Sequence, residues 1–254
     1  MAREPLTVVV ITYNNADTLD ACLREVDWVD EIIVLDSGST DSTVAIARMH
    51  GARVEVHPFD DYGPQKQRAY DLARNDWILN LDADEMLSPG TRAIIERALE
   101  DPQHAGFRIP RRERMFWTVQ HRWSHRNGHL RLFNRHRGGM NDVEVHSAVE
   151  VKGPVRTLWG ADFVNRGDGD VATRVEKINR YSSGMVAHKL RRGQRFAGLR
   201  MVIYPPLFFL RQFVLKRYFL SGWAGFIASV LGAFYVFLKY AKLYEARRVK
   251  KDET

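Results

Sequence analysis

The sequence predicts an α/β fold: a mainly parallel sheet flanked by helices, followed by C-terminal helices that associate with a membrane. Three observations predict it. Short β-branched runs alternate with helical patterns through the first hundred residues. Polar residues collect just after the first, second and fourth of those runs. Residues 219–238 carry no charged side chain, about 20 positions and long enough to cross a bilayer core.

Residues 6–12 are β-branched and read as strand one, with the polar loop Tyr13-Asn14-Asn15 after it. Asp17 or Thr18 caps a helix reaching about Val26. Residues 31–36 form strand two, ending in Asp36, and residues 37–41 form a turn. Helix two runs to about His50, with Gly51 as its natural C-cap. Residues 53–57 read as strand three, 65–73 as helix three and 77–81 as strand four. Ser88 caps helix four, Pro89 takes its first position, and the helix reaches about Glu100. Residues 106–110 and 129–133 read as strands, the second with Arg131 on its polar face. Residues 174–190 read as a helix of mixed charge.

Composition narrows the partners. The 254 residues carry a net charge of +7, which favours anionic partners such as phosphorylated ligands or an anionic membrane. A single cysteine, Cys22, excludes an internal disulfide and a cysteine-based zinc site. It sits in a helical pattern and reads as core. The N-terminus runs straight into strand one, so no signal peptide is expected and the body of the protein is expected in the cytosol.

Strand four ends in Asp82-Ala83-Asp84-Glu85, three carboxylates in four positions. So much negative charge at a strand end is costly unless a cation sits there. Hard oxygen ligands suit Mg²⁺ or Mn²⁺, which keep open positions for water and phosphate oxygens. A solvated acidic loop is the bland alternative. With Thr12-Tyr13-Asn14 and Asp36-Ser37 converging on the same sheet edge, a nucleotide site is expected. Neither a G-x-G-x-x-G turn nor a G-x-x-x-x-G-K-[ST] loop occurs, which argues against a dinucleotide oxidoreductase and a P-loop NTPase.

Val9 to Asn14, Val34 to Asp41, Gln65 to Ala69 and Trp77 to Glu85 together resemble family 2 glycosyltransferases of the GT-A fold. The resemblance is closest to the branch that adds glucose to the inner core of lipopolysaccharide, the WaaE/KdtX-like proteins. Arg131-Leu132-Phe133, the segment from Asp142 to His146 and the tail from Tyr235 to Glu245 extend it over nearly the whole chain. It implies an inverting transferase using a nucleotide diphosphate sugar, with UDP-glucose the favoured donor, and a divalent metal. Residues 1–100 would be the nucleotide-sugar half, 101–197 the acceptor side and 198–254 the membrane-associated helices. Thr12, Tyr13 and Asp36 would hold base and ribose, Asn14 and Ser37 would belong to the same nucleotide-sugar site, and Asp82 and Asp84 would carry the metal on the diphosphate. Lys66 and Arg131 are cationic candidates for that diphosphate. This chain departs from the branch at Gln67, where asparagine is usual, and at Ser147, where glutamate is frequent.

Residues 141–147 alternate polar and apolar, so Asp142, Glu144 and His146 share one face of a half-buried strand. Glycosyl transfer needs one base for the acceptor hydroxyl. The resemblance assigns that role to Asp142, with Glu144 as runner-up; for His146 a third metal ligand, as in several GT-A enzymes, and a purely structural strand histidine are both open readings. Arginine and aromatic residues interleave from Arg111 to Trp123. A solvated basic edge and a groove for a phosphorylated glycolipid are both open readings, and no nucleic-acid partner is expected.

Lys216 and Arg217 precede the apolar stretch, and Lys239, Lys242, Arg247 and Arg248 follow it. A single span would export one set, against the positive-inside tendency. A peripheral or monotopic arrangement on the cytoplasmic face of the bacterial inner membrane is therefore expected, with a true span as the alternative. The expected acceptor is a lipid-linked core saccharide. Rival readings are a sugar-1-phosphate nucleotidyltransferase and a non-catalytic membrane-bound sugar-binding protein.

Overall fold

The computed structural model describes residues 3–141, 148–166, 169–191 and 196–252. The chain divides into two compact units. One comprises residues up to 111 together with 126–166, and the other 112–125 together with 167 onward.

The first unit holds the α/β sheet. Strands β1 (Leu6–Thr12), β2 (Glu31–Asp36), β3 (Arg53–Val56) and β4 (Trp77–Asp82) pair in parallel, in the order β3-β2-β1-β4. Helices α1 (Leu19–Arg24), α2 (Thr43–Met49) and α3 (Tyr62–Asp71) make the crossovers. Val8 and Val10 of β1 enter one apolar cluster with Leu23, Leu79 and Leu81; Val9 enters another with Ile33, Tyr70 and Ile78. Both faces of the sheet are covered, which is why these strands read as continuous apolar runs instead of alternating ones. Cys22 is fully buried in the first cluster, as expected.

Beyond β4 the chain departs from its local signals. A three-residue strand, β5 (Glu85–Leu87), follows the acidic cluster at once. Helix α4 (Thr91–Ala98) starts after Gly90, which stands at φ +85°, so Ser88 is not its cap. The Ser88 hydroxyl instead bonds the Asp162 carboxylate, and Thr91 Oγ1 donates to the Asp162 carbonyl at 2.9 Å. Helix α3 begins three residues ahead of the expected start. Asp61 accepts from Tyr62 N at 2.7 Å, and Pro64 is tolerated because the first turn needs no amide donor there.

Strand β6 (Gly106–Met115) continues five residues past Pro110, pairs with the two-residue β7 (Thr118–Val119), and lies antiparallel to β8 (Gly128–Asn134). β8 in turn lies antiparallel to β4. The short strands β9 (Gly138–Met140) and β10 (Val149–Val151) pair with each other, β11 (Val155–Thr157) pairs β6, and β12 (Phe163–Asn165) pairs β5. The α/β expectation holds, with antiparallel strands completing a mixed sheet.

The second unit is helical: α5 (Val171–Arg191), α6 (Ala197–Leu210) and α7 (Gly222–Asp252), with a π-helical turn at Arg211–Leu215 and a 3₁₀ turn at Tyr218–Ser221. The segment Tyr218–Arg248 is long and apolar enough to cross a membrane by length and composition. The small residues of α7 serve close packing. A Cβ on Gly225 would stand 1.9 Å from the Tyr218 carbonyl oxygen, and one on Gly232 would meet Phe208 at 2.6 Å. Lys242, counted in the sequence as a flanking cation, turns inward and donates to Asn179 Oδ1 at 2.6 Å and Ser182 Oγ at 2.9 Å.

Candidate active site

Strand register brings the polar termini together. Thr12 pairs across from Asp36, and Ile11 from Asp82, so the ends of β1, β2 and β4 share one edge of the sheet. A cavity of about 740 Å³ opens there, lined in part by Thr12, Tyr13, Ser37, Asp82, Asp84 and Asn165. Its size suits a small ligand such as a nucleotide.

Two of the sequence candidates build the walls instead of lining them. Asp36 is buried, and its Oδ2 accepts from the amides of Gly38 and Ser39 at 2.9 and 2.7 Å, while Oδ1 accepts from the Ser39 hydroxyl. The φ of +93° at Gly38 makes that turn. Asn14 stands at φ +50°; its amide donates to Ser39 Oγ at 2.8 Å and its Oδ1 accepts from Thr40 N at 2.9 Å. It ties the loop after β1 to the loop after β2, and its neighbour Asn15 lines the cavity.

Asp82 is the electrostatic centre. Its Oδ1 lies 2.6 Å from Lys66 Nζ and its Oδ2 3.1 Å from Arg131 Nη2. Burial alone would raise the Asp82 carboxyl, but the adjacent Lys66 and Arg131 charges outweigh it and hold the group well below the usual carboxylate range. Arg131 also contacts the fully buried Glu85 at 2.6 Å. Burial pushes Glu85 upward; Arg131 opposes this and the charge on Asp82 adds to it. Arg131 does not face solvent as its strand pattern suggests; it is buried between these two carboxylates. Tertiary charge placement overrides the polar-face expectation there.

Asp84 differs from Asp82. Burial and then the nearby Asp82 charge raise its carboxyl. Asn165 Nδ2 donates to its Oδ2 at 3.0 Å, and Arg166 N donates to its backbone carbonyl at 2.9 Å. Asn165 and Glu85 sit opposite each other in the β12–β5 pair. Neither was a site candidate in the sequence. Glu85 is visible there as the third carboxylate of the cluster, whereas nothing local marks Asn165, which comes from 80 residues downstream.

Lys66 and Arg131 touch Asp82 but do not line the larger cavity. Asp142, Glu144 and His146 lie outside the described residues. Among the described residues no group of three or more His, Cys, Asp or Glu side chains stands ready to hold a metal. Asp82 and Asp84 offer two carboxylates at the wall of one cavity. That donor set fits Mg²⁺ or a similar ion, which takes one or two protein carboxylates and fills its sphere with substrate phosphates and water.

Residues 7–156 match the model of Glycosyl transferase family 2. An uncharacterized glycosyltransferase of Rickettsia felis is 32% identical over 98% of this chain and 93% of its own length. The lipopolysaccharide core biosynthesis glycosyltransferase LpsC of Rhizobium meliloti is 28% identical over 97% of this chain and 94% of its own. Among solved structures, glucosyl-3-phosphoglycerate synthase from Mycobacterium tuberculosis, in complex with Mn²⁺, UDP and glucosyl-3-phosphoglycerate, is 25% identical. That match covers 44% of each chain, with a TM-score of 0.37.

Proposed function

We propose, from the premise that this chain belongs to glycosyl transferase family 2 and is therefore an enzyme, that it transfers a hexose to a lipid-linked saccharide of the lipopolysaccharide core. The expected donor is a nucleotide diphosphate sugar, UDP-glucose foremost, and the expected outcome is inversion at the anomeric carbon. The observation that carries the reading is the cavity where the ends of β1, β2 and β4 converge on Asp82 and Asp84.

Thr12, Tyr13 and Ser37 would receive base and ribose at the near wall, with Asp36 and Asn14 holding their loops in place. Asp82 and Asp84 would hold a divalent ion against the diphosphate. When bound, that ion supplies charge neutralisation of the leaving group. Lys66 and Arg131 fix the Asp82 carboxylate from behind, so it need not reorient during reaction. The base is assigned to Asp142, with Glu144 as alternative: it takes the acceptor hydroxyl proton as that oxygen bonds the anomeric carbon and the nucleoside diphosphate departs from the opposite face. His146 is the proposed third ligand. A screen of nucleotide sugars tests the reading. One donor is expected to be consumed in the presence of Mg²⁺ or Mn²⁺ and spared by EDTA. Turnover of none, or cleavage to a sugar phosphate with nucleotide exchange, would point to the rival classes.

Peripheral or monotopic attachment at the cytoplasmic face of a membrane is part of this proposal, and the exposed apolar residues of the second unit support the attachment. Leu199, Val202, Leu207, Leu215, Phe219 and Trp223 are all exposed along α6, α7 and the turns between them. Residues 112–125 are fastened to the same turns: His121 N donates to Ser221 Oγ at 3.0 Å, and Ser124 Oγ to the Arg217 carbonyl at 2.9 Å. This segment presents Trp117 and Trp123, 66% and 65% exposed, beside Trp223 at 76%. Exposed tryptophans with cations nearby suit a membrane–water interface. Vesicles of anionic lipid brominated high on the acyl chain are expected to quench part of the tryptophan fluorescence. A Trp117→Phe/Trp123→Phe/Trp223→Phe variant is expected to lose most of that quenching. Equal quenching in the variant would remove these three residues from the interface.

A further inference from the structure

A second cavity, of about 290 Å³, shares one residue with the first, Asp82. Its wall includes Lys66, Asn80, Arg108, Arg131, Met140 and Val149. A transferase needs two substrates to meet at one point, and here two cavities meet at one carboxylate.

The lining of this cavity is built for negative charge. Arg131 enters it through a bulge. Phe107 pairs with Leu132 and Arg108 with Leu130, so Arg131 is the extra residue on β8. A bulge re-aims side chains, and it lets the adjacent residues Leu130 and Arg131 both reach the cavity. Lys66 and Arg131 are engaged by Asp82, and Arg131 also by Glu85. Arg108 is different: it is exposed and, among the described residues, has no ion-pair partner. Its stem crosses Gly128, where an added Cβ would stand 3.3 Å from Arg108 Cβ. Among the described residues three cations therefore face two carboxylates, and the charge left over is that of Arg108.

We propose that the second cavity receives the acceptor, and that the acceptor presents an anionic group, a carboxylate or a phosphate, to Arg108. This rests on the reading of the chain as a transferase acting on a core saccharide, and it adds the acceptor's chemistry to that reading. The acceptor hydroxyl then approaches from the Arg108 side while the donor diphosphate occupies the Asp84 side. Arg108 binds and orients; it takes no proton.

The test uses the full chain in detergent, the donor found in the nucleotide-sugar screen, and deacylated core oligosaccharide in three forms: untreated, phosphatase-treated and carboxyl-reduced. Arg108→Gln is expected to raise the acceptor KM about ten-fold, the scale of one lost charge-assisted hydrogen bond, and to leave the donor KM in place. Arg108→Lys is expected to recover most of the difference. The parental enzyme is expected to lose affinity for one treated form. Loss after phosphatase identifies a phosphate, and loss after reduction a carboxylate; Arg108→Gln is expected to discriminate neither. A raised donor KM in Arg108→Gln would assign the cavity to the donor diphosphate and overturn the proposal, as would equal use of all three forms by the parental enzyme. Donor hydrolysis without transfer to any form would instead overturn the core-saccharide reading, and this proposal with it.

Discussion

Asp84→Asn is expected to lower transfer by about 10²–10³-fold while leaving the fold intact. The two halves of that expectation have separate causes. Asp84 lies at the wall of the larger cavity, and its carboxyl is raised first by burial and then by the charge on Asp82. Removing its charge relieves that repulsion, and an asparagine oxygen still accepts from Asn165 Nδ2. Stability therefore holds or rises slightly. Catalysis does not, because neutral asparagine is a poor ligand for a hard divalent ion and leaves the departing diphosphate less well neutralised. Initial rates at saturating Mn²⁺ measure the first half, and the urea midpoint measures the second. A parental rate at saturating metal would remove Asp84 from the metal site. Lost activity with lost stability would make the residue structural.

The contrast between Asp82 and Asp84 also marks the limit of what the sequence reveals. Strands β1, β2 and β4 were legible because each is buried on both faces and bounded by polar loops, a strong local signal. Both aspartates were legible as a pair for the same reason. Their different environments were not. Asp82 is neutralised by Lys66, from a helix 16 positions earlier, and by Arg131, from a strand 49 positions later. Asp84 is held by Asn165, 81 positions away. No local pattern reports pairings of that range. The small strands β5 and β12 escaped for a related reason: three residues give too little periodicity to recognise, and their pairing with each other defines them. Ser88-Pro89 misled in the opposite sense. It is a sound local start signal, but Asp162 claims the serine hydroxyl, and the helix begins at Thr91. At Gln67 the structure gives the departure from the resembling branch a role: its side-chain carbonyl accepts from Met140 N at 2.8 Å, fastening β9 to α3. One methylene less would not reach as far.

Arg131→Met is expected to destabilise the first unit by up to about 3–5 kcal/mol at alkaline pH, the usual cost of removing one partner from a buried ion pair, and by less below pH about 7, where the buried Glu85 carboxyl takes up a proton. Arg131 is 7% exposed and Glu85 is 0%, so the carboxylate left behind has no access to water. Among the described residues its remaining hydrogen-bond partner is the Asp82 amide at 3.1 Å, and the Asp82 charge repels it more than the Lys66 charge attracts it. Against a typical domain stability of about 5–15 kcal/mol, the loss is a large fraction. Adding Glu85→Gln removes the stranded charge, and glutamine oxygen still accepts from the Asp82 amide. The double variant is therefore expected to be more stable than Arg131→Met alone, although Arg131→Met lowers stability in the parental background. Cys22 provides a reading confined to this unit. It is the sole cysteine, it lies in the same core, and its thiol is fully buried. Alkylation of Cys22 across a urea series reports the opening of the sheet without interference from the helical unit. If Arg131→Met leaves the urea midpoint of alkylation unmoved, the Arg131–Glu85 pair is not a stabilising element of the sheet. If the double variant is less stable than the single, the damage comes from lost packing of the arginine stem and not from the uncompensated charge.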